Sequence, residues 1–421
     1  MSMITTTTAT DLDDSPARGV LEREQALALP GLNRWMRVLL RLAAHLDYGT
    51  LLVSLPQGPT IALRGRQGGP SAEIHLHDQR MARRVLLKGG IGFAESFLAG
   101  EWDSPDLATL LAIANVNDAL MDRVLDGSVA MKLLARLGHL LNRNSKSGSR
   151  RNIAHHYDLG NEFYRAWLDP SMTYSAAVFA PGVDDLTEAQ HVKYDLLAEK
   201  LRLGPDQHVL EIGCGWGGFA ERAAKHFGAR VTAVTISNEQ YDFARRRIFE
   251  AGLAEKVEIR LQDYRDIPGR FDQIASIEMF EAVGEQYWPV FFGRVGELLK
   301  PGGRAALQVI TIAERYFERY RRNVDFIQKY VFPGGMLPSP TAFARAAGAA
   351  GLAQGDLTTH GLDYARTLQL WRERFLERFE DLRPLGFDER FRRLWTYYLA
   401  YCEAGFRTQS IDVMQVALHR G

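Results

Sequence analysis

Four glycines crowd the stretch Glu211-Ile-Gly-Cys-Gly-Trp-Gly-Gly218, which follows a run of strand-forming residues beginning at His208 and precedes a helical pattern over Phe219 to Phe227. Glycines at a strand-to-helix turn let the backbone bend tightly and approach a ligand closely. Gly213, Gly215 and Gly218 satisfy the G-x-G-x-x-G spacing of dinucleotide sites, a weak signal when it stands alone. A dehydrogenase carries an acid about 20 residues beyond the glycines to hold the ribose, and Thr235 ends the second strand instead. Two acids favour S-adenosylmethionine: Glu211 stands two residues before the first glycine, as in methyltransferase loops, and Asp263-Tyr264 follows the third strand, where adenine is commonly contacted. Gln240, a few residues past the second strand, is the candidate ribose contact in place of an acid. The competing reading is a tight turn that binds nothing. Cys214, with no basic neighbour, reads as a small filler rather than a nucleophile.

The elements that must carry this loop follow an alternating pattern. Runs at 208–213, 229–235, 257–261, 271–277 and 304–310 read as strands with helical stretches between them, which predicts an α/β fold with a doubly wound, mainly parallel sheet. Before residue 150 the pattern differs. Alternating runs between Thr50 and His77 suggest a small sheet, and 31–46 reads as an amphipathic helix with Arg34, Arg37 and Arg41 on one side. That helix either packs on its own domain or lies on a membrane surface. The polar, acid-free stretch 142–152 reads as a basic linker, either solvated or resting on anionic lipid. The expected organisation is a disordered tail over 1–20, an N-terminal domain over 21–141, the linker, and a catalytic domain over 153–421.

A chain of 421 residues is long enough for two domains. Basic and acidic residues number 51 each, so net charge gives no reason to expect nucleic acid as a partner. Two distant cysteines exclude a disulfide scaffold and form no zinc-ligand spacing, and no metal is expected. Met1 to Pro16 lacks the basic and apolar regions of a secretory signal, and no apolar run reaches the roughly 18 residues of a membrane span. The expectation is a cytoplasmic protein that meets a membrane, if at all, from its surface.

Several separated motifs share one resemblance: His155-His-Tyr-Asp-Leu-Gly-Asn-Glu-Phe-Tyr164, Met172-Thr-Tyr-Ser175, Glu211 to Gly218, Glu278-Met-Phe-Glu-Ala-Val-Gly284, Tyr330-Val-Phe-Pro-Gly-Gly335 and Phe406-Arg407. In this order they resemble the cyclopropane fatty acid synthases and the related mycolic acid methyltransferases. Gly92-Phe-Ala-Glu95 and Gly100-Glu-Trp-Asp103 look like the small α+β lipid-binding domain that precedes the catalytic one in bacterial synthases. The resemblance implies a Rossmann-like class I methyltransferase fold. It also implies methylene transfer from S-adenosylmethionine to the cis double bond of an unsaturated phospholipid chain at the inner membrane face, and a homodimer. Bound bicarbonate would be the base that removes a proton from the new methyl.

By the same resemblance Tyr174 and Ser175 would hold the methionine part of the cofactor, Gly213 and Gly215 its backbone-facing side, Thr235 and Gln240 the ribose side, and Asp263 and Tyr264 the adenine. Glu281 would anchor bicarbonate with the backbone of Ile310 and with Tyr364. Ala176 and Gln308 depart from the cysteine and histidine usual in that pocket, so proton loss without ring closure, giving a methyl- or methylene-branched chain, stays open as an alternative. A catalytically idle lipid-binding module and, more remotely, an NAD oxidoreductase are the other readings. The aromatic-rich segment 316–332 is expected to line or cover an acyl channel or else to pack as core.

Overall fold

The computed structural model describes residues 20–22, 25, 29–56, 58–117 and 159–420. The expected tail up to residue 19 and the basic linker at 142–152 lie outside the described residues.

Among the described residues five strands form the N-terminal sheet: β1 (Val20–Glu22), β2 (Tyr48–Ser54), β3 (Thr60–Arg64), β4 (Gln67–Leu76) and β5 (Trp102–Asp103), in the order β1-β3-β2-β4-β5. Val20, the last residue of the stretch expected as tail, pairs with Thr60. Helix Arg34–Ala43 buries Met36 and Leu40 in the core of this domain. Of its two readings, the structure therefore supports packing on its own domain. Helix Arg80–Leu98 bends at Gly89, whose φ of 60° leaves the helical region. Close beside the bend, a Cβ on Gly92 would lie 2.1 Å from the carbonyl oxygen of Arg84, so only glycine fits the turn.

The second sheet has seven strands: β6 (His208–Ile212), β7 (Arg230–Thr235), β8 (Val257–Leu261), β9 (Phe271–Ile277), β10 (Leu299–Ile312), β11 (Leu352–Thr359) and β12 (Ile411–Arg420). Their order is β11-β12-β10-β9-β6-β7-β8, parallel from β10 through β8 and antiparallel at β12 and β11. Helices cover both faces, so the central strands read as nearly continuous apolar runs, as in Val209-Leu-Glu-Ile212. The strand order reverses between β6 and β9. In a doubly wound sheet the crevice beyond the carboxyl ends of two such strands is where ligands bind. That crevice brings together the glycine loop after β6 and the Glu278–Glu281 turn after β9: a Cβ on Gly213 would fall 2.7 Å from the Met279 side chain.

Helix Glu389–Arg407 joins the two domains. Arg393 donates to the carbonyls of Phe97 and Trp102 at 2.5 and 2.7 Å, pairs with Asp103 at 2.7 Å and stacks over the Phe97 ring. Glu95 of the N-terminal domain accepts from Lys329 at 2.9 Å and from the Tyr330 hydroxyl at 2.8 Å. Replacing Arg393 by Met keeps most of the stem and removes these charge-assisted bonds, so Arg393→Met is expected to lower unfolding stability by about 3 kcal/mol in urea titrations. A loss of only a few tenths would mean that the junction does not depend on this arginine.

Candidate active site

One cavity of about 1090 Å³ opens at the crevice between β6 and β9 and continues into the interior of the N-terminal domain. Tyr174, Ser175, Gly213, Gly215, Thr235, Gln240, Asp263 and Tyr264 all line it, as do Glu281, Ile310 and Tyr364. The structure thus gathers the eight expected cofactor residues around one cavity, although they come from five separated stretches of chain.

The glycine loop turns through positive φ at Gly213 (83°), Gly215 (51°) and Gly217 (84°), and its helix starts at Gly218. The Gly213 and Cys214 amides both donate to the Val234 carbonyl, which ties the loop to the end of β7. At that end Thr235 donates to the Gln240 carboxamide oxygen at 2.8 Å, turning the amide nitrogen of Gln240 away from the strand. Asp263 is buried and clasped by Arg265 at 2.6 Å, so its position is set before any ligand arrives. Beside it, burial pushes the Tyr264 phenol up to about 12, and its ring meets Phe291 edge-on. Burial likewise raises the Cys214 thiol well above its ordinary value, in keeping with a filler.

Glu211 carries the clearest sign of a missing partner. It is fully buried, burial pushes its carboxyl up to about 8, and its Oε2 has no hydrogen-bond partner. Opposite stands Lys193, also fully buried, which donates to Ser175 Oγ at 2.6 Å. Burial pulls this ammonium down to about 7 against the charges of Glu278, Asp169 and Glu211. An orphaned acceptor, a glycine cradle and an oriented carboxamide fit a cationic nucleoside such as S-adenosylmethionine.

Beyond the loop lie two acids. Glu278 accepts from the Ala176 amide (2.8 Å), the Gln308 side-chain nitrogen (2.7 Å) and the Tyr364 hydroxyl (2.6 Å). Glu281 accepts only from the Ile310 amide, at 2.5 Å, and its other oxygen is buried and bare. Burial, followed by the charge of Glu278, pushes Glu281 up to about 8. Burial also raises Glu278, but three donors favour its anion. Glu281 is therefore the protonated member of the pair at neutral pH.

This arrangement corrects the expected bicarbonate pocket. Ala176, Gln308 and Tyr364 do converge, but on Glu278, and the Ile310 amide is held by Glu281. A bicarbonate placed among Ala176, Gln308 and Tyr364 would meet a Glu278 carboxylate that already takes their donors, and the one donor left over is the proton on Glu281 Oε2, so that corner does not fit the anion. Nor does Tyr174 stand apart from the walls: its hydroxyl bonds that of Tyr398 at 2.7 Å, and its ring packs among Tyr164, Trp167 and Trp371.

The roles of Glu278 and Lys193 escaped sequence reasoning. Glu278 had a signal, an acid directly after the last residue of a central parallel strand. Lys193 had another, a cation inside the stripe Leu186, Ala189, Gln190, Tyr194 and Leu197 that the helix Leu186–Leu201 buries.

A doubly wound sheet with this loop and crevice defines a class I S-adenosylmethionine-dependent methyltransferase. Residues 144–416 match the family model described as mycolic acid cyclopropane synthetase. The chain is 43% identical over 370 residues, 83% of either chain, to the tuberculostearic acid methyltransferase of Mycobacterium tuberculosis. It is 37% identical over 355 residues, 84% of this chain and 89% of the other, to the cyclopropane-fatty-acyl-phospholipid synthase of Escherichia coli. Among solved structures, a mycolic acid cyclopropane synthase complexed with SAH and CTAB superposes with a TM-score of 0.61 at 31% identity, covering 64% of this chain and 97% of that one. The protein belongs to the mycolic acid cyclopropane synthetase family and is an S-adenosylmethionine-dependent methyltransferase.

The raised Glu281 carboxyl has a consequence for stability. Its pKa rises from 4.5 to about 8 on folding, so its contribution is fully present below pH 4.5 and is lost as pH rises towards 8. Glu281→Gln keeps an acceptor for Ile310 and removes the titration. The melting temperature of that variant relative to the parent should therefore climb between pH 5 and 8, and a difference that stays flat would mean that Glu281 ionises normally.

Proposed function

We propose that the protein transfers one carbon from S-adenosylmethionine to the double bond of an unsaturated acyl chain borne by a membrane phospholipid. The observation that carries this reading is the continuity of the cavity. At one end it is lined by the glycine loop and the acids, and at the other by Met36, Leu40, Leu63, Ile74 and Val85 of the N-terminal domain. An acyl chain laid through it would bring a mid-chain double bond to the crevice.

The cofactor supplies an electrophilic methyl on a sulfonium. An alkene is a weak nucleophile, so the protein's task is to hold it in line, keep water out and tolerate positive charge on the chain. Tyr174, Tyr364 and Phe406 line the cavity, with Tyr364 and Phe406 centroids 4.4 Å apart. Such faces stabilise a cation without offering it a nucleophile. Tyr316, Tyr320, Phe326 and Phe332 of the aromatic segment line the same cavity, which supports the channel reading of that stretch.

The product that this site supports best is a methylene-branched chain. Ala176, Gln308 and Glu278 together stand where the bicarbonate pocket is expected, and a relative named as a methyltransferase rather than a cyclopropane synthase is 43% identical. Ring closure is the second reading, favoured by the likeness to a cyclopropane-forming synthase. Among the described residues no helix is long and apolar enough to cross a membrane, and a lipid substrate would be met at the bilayer surface.

Gas chromatography with mass spectrometry of acyl chains, after incubation with labelled S-adenosylmethionine and monounsaturated phospholipid vesicles, tests the reading. Labelled branched chains are expected. Labelled rings would establish the second reading, and unlabelled lipid would sink both. Restoring the usual pocket residues with Ala176→Cys and Gln308→His is expected to shift product towards rings, and an unchanged ratio would show that these positions do not direct the outcome.

A further inference from the structure

Glu278 is built into its place at some cost. It lies at the carboxyl end of β9 with φ +48°, a left-handed conformation that favours glycine and strains other residues. Its amide donates to the Gln308 carbonyl at 2.8 Å, which holds the strained residue in register with β10. Glu278 lines the cavity, half-buried, with donors from three distant segments closed around the carboxylate. Strain of this kind persists where surrounding structure enforces it, and it gathers at functional sites.

A side-chain carboxylate and a bicarbonate ion present the same planar pair of acceptor oxygens. Three groups expected around the free ion, the Ala176 amide, the Gln308 side chain and the Tyr364 hydroxyl, instead fix Glu278. We propose that Glu278 is the proton acceptor of the reaction, an internal carboxylate that takes the place of a bound anion and makes catalysis independent of bicarbonate. This rests on the proposed acyl-chain reading.

The step balances within the protein. Once the alkene pair has formed the new carbon–carbon bond and the carbon–sulfur pair has stayed on sulfur, the chain carries a cation next to the methylated carbon. If a hydride moves from the methylated carbon to the cationic one, the methyl loses a proton to a Glu278 oxygen, and its C–H pair becomes the exocyclic double bond. Without the hydride shift the same pair closes a ring. Glu278 then passes its proton to water as product leaves, and no further oxidant or reductant is consumed. Desolvation suits this role, because burial raises the affinity of Glu278 for a proton while its three donors hold it ready as the anion. Glu281, already protonated, does not compete for the proton.

The test compares the full-length protein with Glu278→Gln and Glu278→Gly on monounsaturated vesicles, in buffer freed of carbon dioxide and in buffer with added bicarbonate. Wild-type turnover should be the same in both buffers. Glu278→Gln, which keeps the shape, should lose at least about 100-fold in turnover while retaining affinity for S-adenosylmethionine. Glu278→Gly, which relieves the backbone and opens a carboxylate-sized gap, should lose as much and regain part of it with bicarbonate or formate. NMR with [13C]bicarbonate should show binding to Glu278→Gly and none to wild type. A wild-type requirement for bicarbonate, bicarbonate bound by wild type, or near-normal turnover of Glu278→Gln overturns the inference. If wild type alters no lipid, the proposed function and the proton-acceptor role fall together, and the NMR comparison alone decides whether Glu278 displaces the anion.

Discussion

Two carboxyl groups buried side by side are the feature on which the rest of this site depends. A carboxylate removed from water is costly unless donors replace the water it lost. Glu278 receives three such donors from three parts of the chain, whereas Glu281 receives one and keeps its proton instead. The loop at Ala176, strand β10 at Gln308 and Ile310, and helix Gly361–Glu377 at Tyr364 must therefore all arrive at the same few ångströms. Lys193 lies buried behind them, its ammonium pulled down to about 7 by burial, and donates its hydrogen bond to Ser175. The catalytic domain is organised so that this convergence can occur.

The sheet makes the convergence economical. Pairing of β10 with β9 sets Gln308 against Ile277, so the residue after the strand end starts in reach of its donor. Pairing of β6 with β9 brings the glycine loop to the same edge. One topological reversal thus delivers both the cofactor cradle and the acids. The aromatic rings then form the walls, and the N-terminal domain extends the cavity into its own core. Arg393 and Glu95, with their partners across the junction, hold that extension in line with the crevice.

An oily chain and a cationic cofactor make opposite demands on one cavity. The apolar part excludes water from the chain and from any cation formed on it. The polar part must match a nucleoside and a sulfonium with few groups: an orphaned carboxyl oxygen at Glu211, the Gln240 carboxamide set by Thr235, and Asp263 held by Arg265. Gln240 and Asp263 are each fixed by a neighbour in the protein, so little ordering of these two is left for the ligand to bring about.

Local pattern was enough to reveal the alternation of strands and helices, because apolar periodicity and glycine turns are properties of adjacent residues. All five catalytic-domain strands anticipated from those patterns are present, as is the helix after the glycine loop. The residues expected to hold the cofactor likewise sit in local motifs, and the structure brings them to one cavity. What the patterns could not reveal was which acid would receive which donor. Glu278 and Glu281 are three residues apart and chemically alike, and the choice between them depends on the φ angle after β9, the register of β10 and the approach of Tyr364 from 86 residues away. Electrostatics in a dry site is decided by distances between groups remote in sequence. Residue types and short-range order were therefore legible in the chain itself, whereas charge state and hydrogen-bond partnership were decided only when the tertiary structure closed around them.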